Sequence, residues 1–229
     1  MHTDGLHRLL AACDAVLFDF DGPICHVFQG LPAPGVAKEL AALLAQLAPQ
    51  LGDAAHATED PMVVHQLARK AGPEVLAAIE GALTAAEVKA VAMAGAATPG
   101  AGEALLATRA SGRRVAVVSN NATECVRAYL TAQGLADAVE VVVGRPVLRP
   151  DLMKPSPYPL LEAAALLGVA PEKTALVGDS VSDIEAARAA AAGSIGFANK
   201  QGKVESLGAA GADVLTQDMK DIAQALSAA

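Results

Sequence analysis

Short apolar runs alternate with alanine-rich helical segments along most of this chain, and this alternation predicts its fold. The first run, from Ala15 to Phe20, is broken by Gly22 and Pro23 and is typical of a buried strand. From residue 98 onward, β-branched runs and helical segments follow each other in the order expected of a parallel sheet flanked by helices. We predict further strands near 114–119, 139–143, 174–178 and 193–197, and helices near 100–111, 122–132, 157–168, 181–191 and 217–227.

A long segment without a strand pattern separates the first predicted strand from the second. Pro and Gly residues divide it into helical stretches. A small helical domain that emerges from a loop beside the first strand would make a lid. We therefore assign residues 1–29 and 96–229 to an α/β core domain and residues 30–95 to a helical cap domain. The helices predicted within this insert lie near 34–48, 59–71, 73–80 and 84–94.

Composition and charge exclude several classes of protein. Much of the 53% hydrophobic content is alanine, and no apolar run approaches the roughly 20 residues that span a bilayer. The first residues show no basic segment followed by an apolar core, so we expect a cytoplasmic protein. A net charge of -8 leaves no basic excess for nucleic acid, so partners should be small molecules. Cys13, Cys25 and Cys125 are odd in number and widely spaced, which predicts buried, reduced thiols.

Two carboxylates stand one residue apart at the end of the first apolar run. Side chains alternate along a strand with a period of two, so Asp19 and Asp21 are predicted to face the same way, opposite Phe20. Two like charges this close are unfavourable unless a cation neutralises them or one of them carries a proton. The pair therefore indicates either a site for a hard metal ion or acid–base chemistry.

A second group of candidate residues follows the strand near 114–119. An open parallel sheet places its ligands at the C-terminal ends of its strands. Ser119 and Asn120 occupy such an end, before a helix whose free N–H groups can bind an anion. We interpret Asn121 and Glu124 as a capping pair for that helix. That interpretation leaves Ser119 as a candidate phosphate ligand.

The last candidates lie further along the chain. Lys154 stands in a rigid turn bracketed by prolines, where a lysine by itself is more often a solvated surface residue. Gly178 and Asp179 close the fourth predicted strand, and Asp183 follows in the next helix. Either acid can also be explained as an N-cap or as a first-turn residue that complements the helix dipole.

Taken together, these sites resemble in order, spacing and strand-end placement the four motifs of the haloacid dehalogenase superfamily. The insert is similar in position and helical character to the small helical cap of phosphoglycolate-phosphatase-like and β-phosphoglucomutase-like members. The resemblance implies an α/β fold, with a Rossmann-like, doubly wound parallel sheet and a small α-helical cap domain inserted after the first strand. The matching residues are Asp19-Phe20-Asp21-Gly22, Ser119, Lys154-Pro155, and Gly178-Asp179 followed by Asp183, with Thr98-Pro99-Gly100 and Gly144-Arg145 between them.

The resemblance assigns the chemistry to the first motif. Asp19 would be the nucleophile that forms an aspartyl-phosphate, and Asp21 the general acid that protonates the leaving oxygen and later activates water. Lys154 would add a fixed positive charge beside Asp19. Ser119 and the N–H of Asn120 would hold oxygens of the transferring phosphoryl group.

The resemblance also implies a metal ion. Mg2+ would be held by Asp19, the main-chain carbonyl of Asp21 and Asp179, and we place Asp183 in the same metal group. Bound Mg2+ would screen the negative charges of the carboxylate and the phosphate from each other.

Several activities remain open within this resemblance. Dehalogenases of this type lack an acid at the second position, so Asp21 argues against halide chemistry. A phosphonatase would need a cap lysine, and Lys38, Lys70 and Lys89 stand in no recognisable context. A phosphomutase would keep every core residue, and a catalytically silent binding or regulatory protein forms a different class. We predict a Mg2+-dependent phosphatase that acts on a small phosphorylated metabolite as a monomer or homodimer.

Pro23 departs from the usual sequence of the first motif, and three histidines lie within or near the insert. Pro23 stands where many phosphatases of this superfamily have threonine, and we expect activity to survive because the chemistry does not need that residue. We interpret His26 as packed in its loop, and His56 and His65 as solvated helix residues.

Overall fold

A computed structural model describes residues 2–227 of the chain, and its centre is a sheet of six parallel strands. The strands are β1 (Ala15–Phe18), β2 (Arg114–Val118), β3 (Val141–Val143), β4 (Thr174–Gly178), β5 (Gly193–Phe197) and β6 (Val214–Thr216). The α-helices are α1 (His2–Ala11), α2 (Ala33–Leu47), α3 (Gly52–His56), α4 (Pro61–Ala68), α5 (Pro73–Val91), α6 (Ala101–Ala110), α7 (Thr123–Ala132), α8 (Tyr158–Leu167), α9 (Val181–Ala189), α10 (Lys203–Ala209) and α11 (Lys220–Ser227). The strand order is β3-β2-β1-β4-β5-β6, which places β1 between β2 and β4.

Both faces of the sheet are buried, and β1 shows why its sequence is apolar throughout. Val16 and Phe18 join one apolar cluster, which α1, α6, α7 and α11 cover. Ala15 and Leu17 join a second cluster, which α8 and α9 cover. A parallel sheet covered by helices on both faces is doubly wound, so the predicted fold class is confirmed.

The segment between β1 and α6 folds as helices α2 to α5, which confirms the predicted helical insertion after the first strand. These helices bury a third apolar cluster of their own, which includes Leu40, Leu44, Val64 and Leu83. The far end of α5 packs elsewhere, because Ala90 joins the cluster on the sheet. The last helix of the insertion therefore contacts the core directly.

Helix α5 is continuous, so the prediction of two helices at 73–80 and 84–94 is wrong. Gly81 lies in the middle of this helix and costs about 1 kcal/mol relative to alanine. Ile79 and Leu83 flank it and are fully buried. Burying each such side chain contributes about 1.5–3 kcal/mol, which outweighs the cost of the glycine.

The other predicted elements are present, with ends displaced by a few residues. The sequence pattern does not predict α1, α3, α10 or β6. Of these, β6 has three residues and α3 has five, which is too short for a periodicity to show. Cys13, Cys25 and Cys125 are free and buried, as predicted. Over residues 2–227, no helix combines the length and the apolarity that a membrane crossing requires.

Candidate active site

The C-terminal ends of β1, β2 and β4 lie side by side, because these strands are parallel neighbours. A cavity of about 340 Å3 opens at this edge of the sheet. Asp19, Asp21, Ser119, Asn120 and Lys154 all line it. The structure therefore brings together residues that are up to 135 positions apart in the sequence.

Lys154 lies between two buried carboxylates and is not a solvated surface residue. Its Nζ atom is 2.7 Å from Asp19 Oδ1 and 2.6 Å from Asp183 Oδ1, and it donates to the carbonyl of Val118 at 3.2 Å. Burial opposes the charged ammonium, yet the two carboxylates together hold the pKa of Lys154 above its ordinary value. This lysine is therefore a fixed positive charge beside Asp19.

The pKa values of the two carboxylates that share Lys154 are shifted in opposite directions. Burial raises the pKa of Asp19 well above its ordinary value, and the nearby Asp183 carboxylate raises it further. Burial would also raise the pKa of Asp183, but Lys154 and the hydrogen bonds from Ser180 hold it below its ordinary value. The charge of Asp19 is therefore the one that a further cation would stabilise most.

A carboxylate cluster formed by Asp19, Asp179 and Asp183 fits a hard cation. Each residue offers one oxygen, and these oxygens all lie within 4.8 Å of one another. None of the described residues donates a hydrogen bond to Asp19 Oδ2 or to Asp179 Oδ1, so both oxygens are available. The side chain of Asp21 is not part of this cluster. Oxygen ligands of this kind suit Mg2+.

Two residues that sequence analysis missed contact the same cluster. Lys203 forms an ion pair with Asp179 Oδ2, and Asn199 donates to the same oxygen at 3.3 Å. Both residues follow β5. Their position after a strand end is the same signal that identifies the other site residues.

β1 ends at Phe18, and Asp21 lies beyond it, where it forms an isolated β-bridge with Cys25. Gly22 has a φ of 101°, and the carboxylate of Asp179 fills the space that a side chain at Gly22 would need. Asp21 Oδ1 accepts the N–H of Val27 at 3.0 Å. Burial raises the pKa of Asp21, and this hydrogen bond only partly offsets that effect.

Side chains of the loop after β2 form hydrogen bonds within the loop and with the turn that carries Lys154. The Ser119 hydroxyl accepts the N–H of Asn121 at 3.0 Å and donates to Asn121 Oδ1 at 3.2 Å. The Asn120 side chain accepts the N–H of Lys154 at 2.9 Å and donates to the Lys154 carbonyl at 3.2 Å. Asn120 therefore positions Lys154 through its side chain, a role that the sequence does not reveal.

The prediction that Asn121 and Glu124 cap α7 is wrong. Ala122 occupies the N-cap position and has no side-chain oxygen to accept a hydrogen bond. Asn121 Nδ2 instead donates to Glu87 Oε1 at 3.0 Å, and Glu87 Oε2 accepts the N–H of Ala122 at 2.9 Å. A carboxylate from α5 therefore caps the helix in place of a local side chain.

Asp183 is a first-turn residue of α9 and not its N-cap, which is Ser180. It forms a capping box with Ser180 at the start of α9, and its Oδ2 atom accepts the N–H groups of Asp179 and Ser180 at 3.1 and 3.0 Å. Its other oxygen faces Lys154. Gly178 is required here, since a Cβ atom would collide with the Asp183 side chain.

A group of buried charges joins the insertion to the loop after β3. The buried Arg145 side chain donates through Nε to Glu80 and through Nη1 to Glu87, both at 2.8 Å. Glu80 also accepts from Nε2 of His65 at 3.0 Å. His65 is therefore a fully buried partner of Glu80, and the prediction that it is solvated is wrong. His56 is exposed, as predicted. The sequence does not reveal this contact, because the partner of His65 lies on another helix.

The ionised form of Glu80 contributes to stability in a defined pH window. Burial alone would raise its pKa, yet the hydrogen bonds from His65 and Arg145 outweigh burial and lower the pKa from 4.5 to about 2. The contribution is fully present above pH 4.5 and is lost as the pH falls from 4.5 towards 2.

We therefore predict that Glu80→Gln lowers the free energy of unfolding more at pH 7 than at pH 3. At pH 3 the unfolded wild-type chain already carries a proton on Glu80, so the charge contributes less. Urea titrations of both proteins at both pH values measure the difference. An equal loss at the two pH values would contradict the prediction.

Comparison with known proteins adds independent findings to this geometry. The sequence model of the haloacid dehalogenase-like hydrolase family matches residues 13–191. A stretch of 92 residues is 45% identical to the phosphoglycolate phosphatase of Nitrosococcus oceani and covers 40% of each chain. A stretch of 128 residues is 34% identical to the phosphoglycolate phosphatase of Escherichia coli (strain K12) and covers 56% of this chain and 50% of that protein. The matched stretches thus span half or less of the length of these curated relatives.

Solved structures share the fold at low sequence identity. A predicted phosphoglycolate phosphatase from Haemophilus somnus 129pt superposes with a TM-score of 0.66 and 21% identity, covering 93% of this chain and 97% of that one. CbbY from Rhodobacter sphaeroides, in complex with xylulose-(1,5)bisphosphate, gives a TM-score of 0.66 and 22% identity over 91% and 95% of the two chains. β-Phosphoglucomutase from Clostridium difficile gives 0.63 and 14% over 94% and 98%. These neighbours share the fold of this chain.

Proposed function

This chain belongs to the family of haloacid dehalogenase-like hydrolases, and we propose that it is a phosphatase that acts through an aspartyl-phosphate on Asp19. The observation that carries this proposal is the 2.7 Å pairing of Asp19 with Lys154, inside a cavity that Asp21 and Ser119 also line. A carboxylate needs an adjacent positive charge to approach an anionic phosphate, and Lys154 supplies that charge.

Two carboxyl groups would share the two chemical steps. In the first step, an oxygen of Asp19 bonds to phosphorus, the bond to the leaving oxygen breaks, and Asp21 gives its proton to that oxygen. In the second step, Asp21 takes a proton from water, the water oxygen bonds to phosphorus, and the bond to Asp19 breaks to release inorganic phosphate. The raised pKa of Asp21 supports this double role, because a group that alternates between acid and base works best with a pKa nearer to the working pH.

The phosphoryl oxygens would be held by the loop after β2. We assign this role to the Ser119 hydroxyl and the N–H of Asn120, because Ser119 is fixed by hydrogen bonds and both residues line the cavity. The carboxylate cluster described above, with the main-chain carbonyl of Asp21, would hold Mg2+. When bound, Mg2+ would screen the charges of Asp19 and the phosphate from each other.

The domain assignment belongs to the same proposal. Residues 1–29 and 96–229 would form the catalytic domain, and residues 30–95 would form a cap over the cavity. Pro61 and Met62 support this assignment, since they place part of the insertion in the cavity wall. A cytoplasmic location and a monomeric or dimeric state stay predictions.

Other chemistries of the family receive less support. A dehalogenase would not need the acid Asp21. A phosphonatase would need a lysine of the insertion at the reacting centre, yet Lys38, Lys70 and Lys89 are all exposed and do not line the cavity. A mutase differs from a phosphatase in how the cap closes, and no contact of the described residues favours it.

The cavity wall on the insertion side favours a leaving group without negative charge. Glu59 and Asp60 line the cavity, and Lys154 is the one cation among the described residues that do so. Lys154 is already paired with two carboxylates. A phosphorylated amino alcohol or polyol therefore suits this wall better than phosphoglycolate, the compound in the names of the curated relatives, which carries a carboxylate of its own.

We predict that Glu59→Gln combined with Asp60→Asn raises kcat/KM for phosphoglycolate by about two- to tenfold, because two exposed repulsive charges are removed. Asparagine can keep the N-cap hydrogen bond that Asp60 accepts from Met62. Kinetics with phosphoglycolate and with glycerol 2-phosphate measure the change. Glu39→Gln combined with Glu74→Gln is the matched control, since both residues are exposed on the insertion but do not line the cavity. An equal gain in the control would contradict a local effect.

The test of the proposed function is release of inorganic phosphate from a panel of phosphorylated metabolites, with and without Mg2+. We expect release that depends on the metal and that ranks the compounds. A folded protein that binds Mg2+ and releases phosphate from none of them would contradict the proposal and would favour a mutase or a non-catalytic protein.

A further inference from the structure

The carboxylate of Glu87 lies in an unusual place for a residue of the insertion. It belongs to α5, is fully buried, and sits at the N-terminus of α7. Its Oε2 atom accepts the N–H of Ala122 at 2.9 Å, and its Oε1 atom accepts from Asn121 Nδ2 at 3.0 Å. A carboxylate here satisfies free N–H groups and complements the positive end of the helix dipole.

Arg145 completes this arrangement from the loop after β3. Its Nη1 atom is 2.8 Å from Glu87 Oε1 and donates to the carbonyl of Asn120 at 3.1 Å. Asn120, Asn121 and Ala122 thus each form a hydrogen bond with Glu87 or Arg145. Both side chains are completely buried, so the pair is shielded from water and salt.

We propose that Glu87 is a positioning residue, which together with Arg145 holds the Ser119–Ala122 loop in the conformation that binds phosphate. This inference rests on the proposed function, because it assigns phosphate binding to Ser119 and Asn120. The insertion then does more than cover the cavity: its last helix fixes the loop that receives the phosphoryl group. Catalytic loops of this kind depend on geometry held to a fraction of an ångström.

The same helix offers a matched control. Glu80 lies two turns before Glu87, is also buried, and pairs with the same Arg145 side chain at 2.8 Å. Its other partners are His65 and the N–H of Leu148, and it forms no hydrogen bond with residues 119–122. Removing the charge of Glu80 therefore weakens the buried network without releasing the loop directly.

The experiment compares Glu87→Gln with Glu80→Gln by two measurements. Amide hydrogen exchange reports whether the backbone of residues 120–126 opens, and calorimetry reports the Kd of inorganic phosphate in the presence of Mg2+. For Glu87→Gln we expect faster exchange in this segment and a Kd and KM raised about tenfold, with a smaller change in kcat. For Glu80→Gln we expect a lowered Tm, with exchange in this segment and phosphate affinity as in the wild type.

A second variant covers the case in which Glu87→Gln does not fold. Arg145→Lys keeps a buried positive charge but cannot reach Glu80, Glu87 and the Asn120 carbonyl together. We expect it to raise both the exchange of residues 120–122 and the Kd of phosphate.

Two outcomes would overturn the inference. One is a folded Glu87→Gln or Arg145→Lys protein with wild-type exchange and wild-type phosphate affinity. The other is an equal effect of Glu80→Gln on both measurements, which would make the network purely structural. Failure of the proposed function looks different, since the wild type itself would then bind and release no phosphate, and exchange alone would decide whether Glu87 holds the loop.

Discussion

Replacing Asp19 with asparagine is expected to reduce the release of inorganic phosphate by at least about 10,000-fold. An amide oxygen cannot form the acyl phosphate, so no covalent intermediate can accumulate. The structure should remain intact, because asparagine has the same shape and Lys154 keeps its ion pair with Asp183 at 2.6 Å. The raised pKa of Asp19 means that burying its charge is unfavourable, so without added metal the Tm should not fall.

Asp14→Asn is the matched control for this variant. It makes the same chemical change just before β1, at an exposed position on the opposite end of the strand from the cavity. Release rates for the panel of phosphorylated metabolites should be as in the wild type. Retention of substantial activity in the Asp19 variant, with the control also active, would show that another group attacks phosphorus.

Replacing Asp21 with asparagine is expected to lower the turnover of alkyl phosphates by about 100- to 10,000-fold, the usual contribution of a general acid or base. The loss should depend on the leaving group. p-Nitrophenol leaves without a proton, so the first step with p-nitrophenyl phosphate should remain fast. The second step still needs Asp21 to activate water. We therefore expect a burst of about one p-nitrophenol per active site, followed by slow turnover.

Rapid-mixing absorbance measurements on p-nitrophenyl phosphate test this expectation, and glycerol 2-phosphate serves as the substrate with a poor leaving group. In the wild type Asp21 assists both steps, so we expect no comparable burst. Equal losses with both substrates and no burst would contradict the assignment of Asp21 to both steps. The role of Asp21 would then be structural, through the hydrogen bond that it accepts from the N–H of Val27, and it would not transfer protons.

The strand-end residues of the site are predictable from sequence because parallel strands bring their C-terminal ends to one edge of the sheet. An apolar run that stops at a polar residue is enough to place Asp19, Ser119 and Asp179 at that edge. Lys154 is different, because its local sequence is typical of a solvated surface lysine. Only the structure shows that Asp19 and Asp183 flank it. The order of the motifs, and not the local pattern, identified that lysine.

Contacts between segments escape the sequence pattern. Asn121 has the right spacing to cap α7, yet Glu87 takes that role from 35 residues away. His65 is interpreted from the sequence as a solvated helix residue, yet it is buried against Glu80. Each error has the same origin, because a local rule assumes that the nearest suitable group makes the bond.

The sequence by itself determined the fold class, the helical insertion and the residues that follow strands, because burial imposes a period on the chain and parallel strands share one edge. The tertiary structure alone decided the continuity of α5, the partners of Arg145 and the contact of Lys203 with Asp179. These features depend on how helices dock against the sheet. The partner of a buried charge is set by which elements pack against each other in three dimensions. Sequence periodicity does not show which distant residues become neighbours.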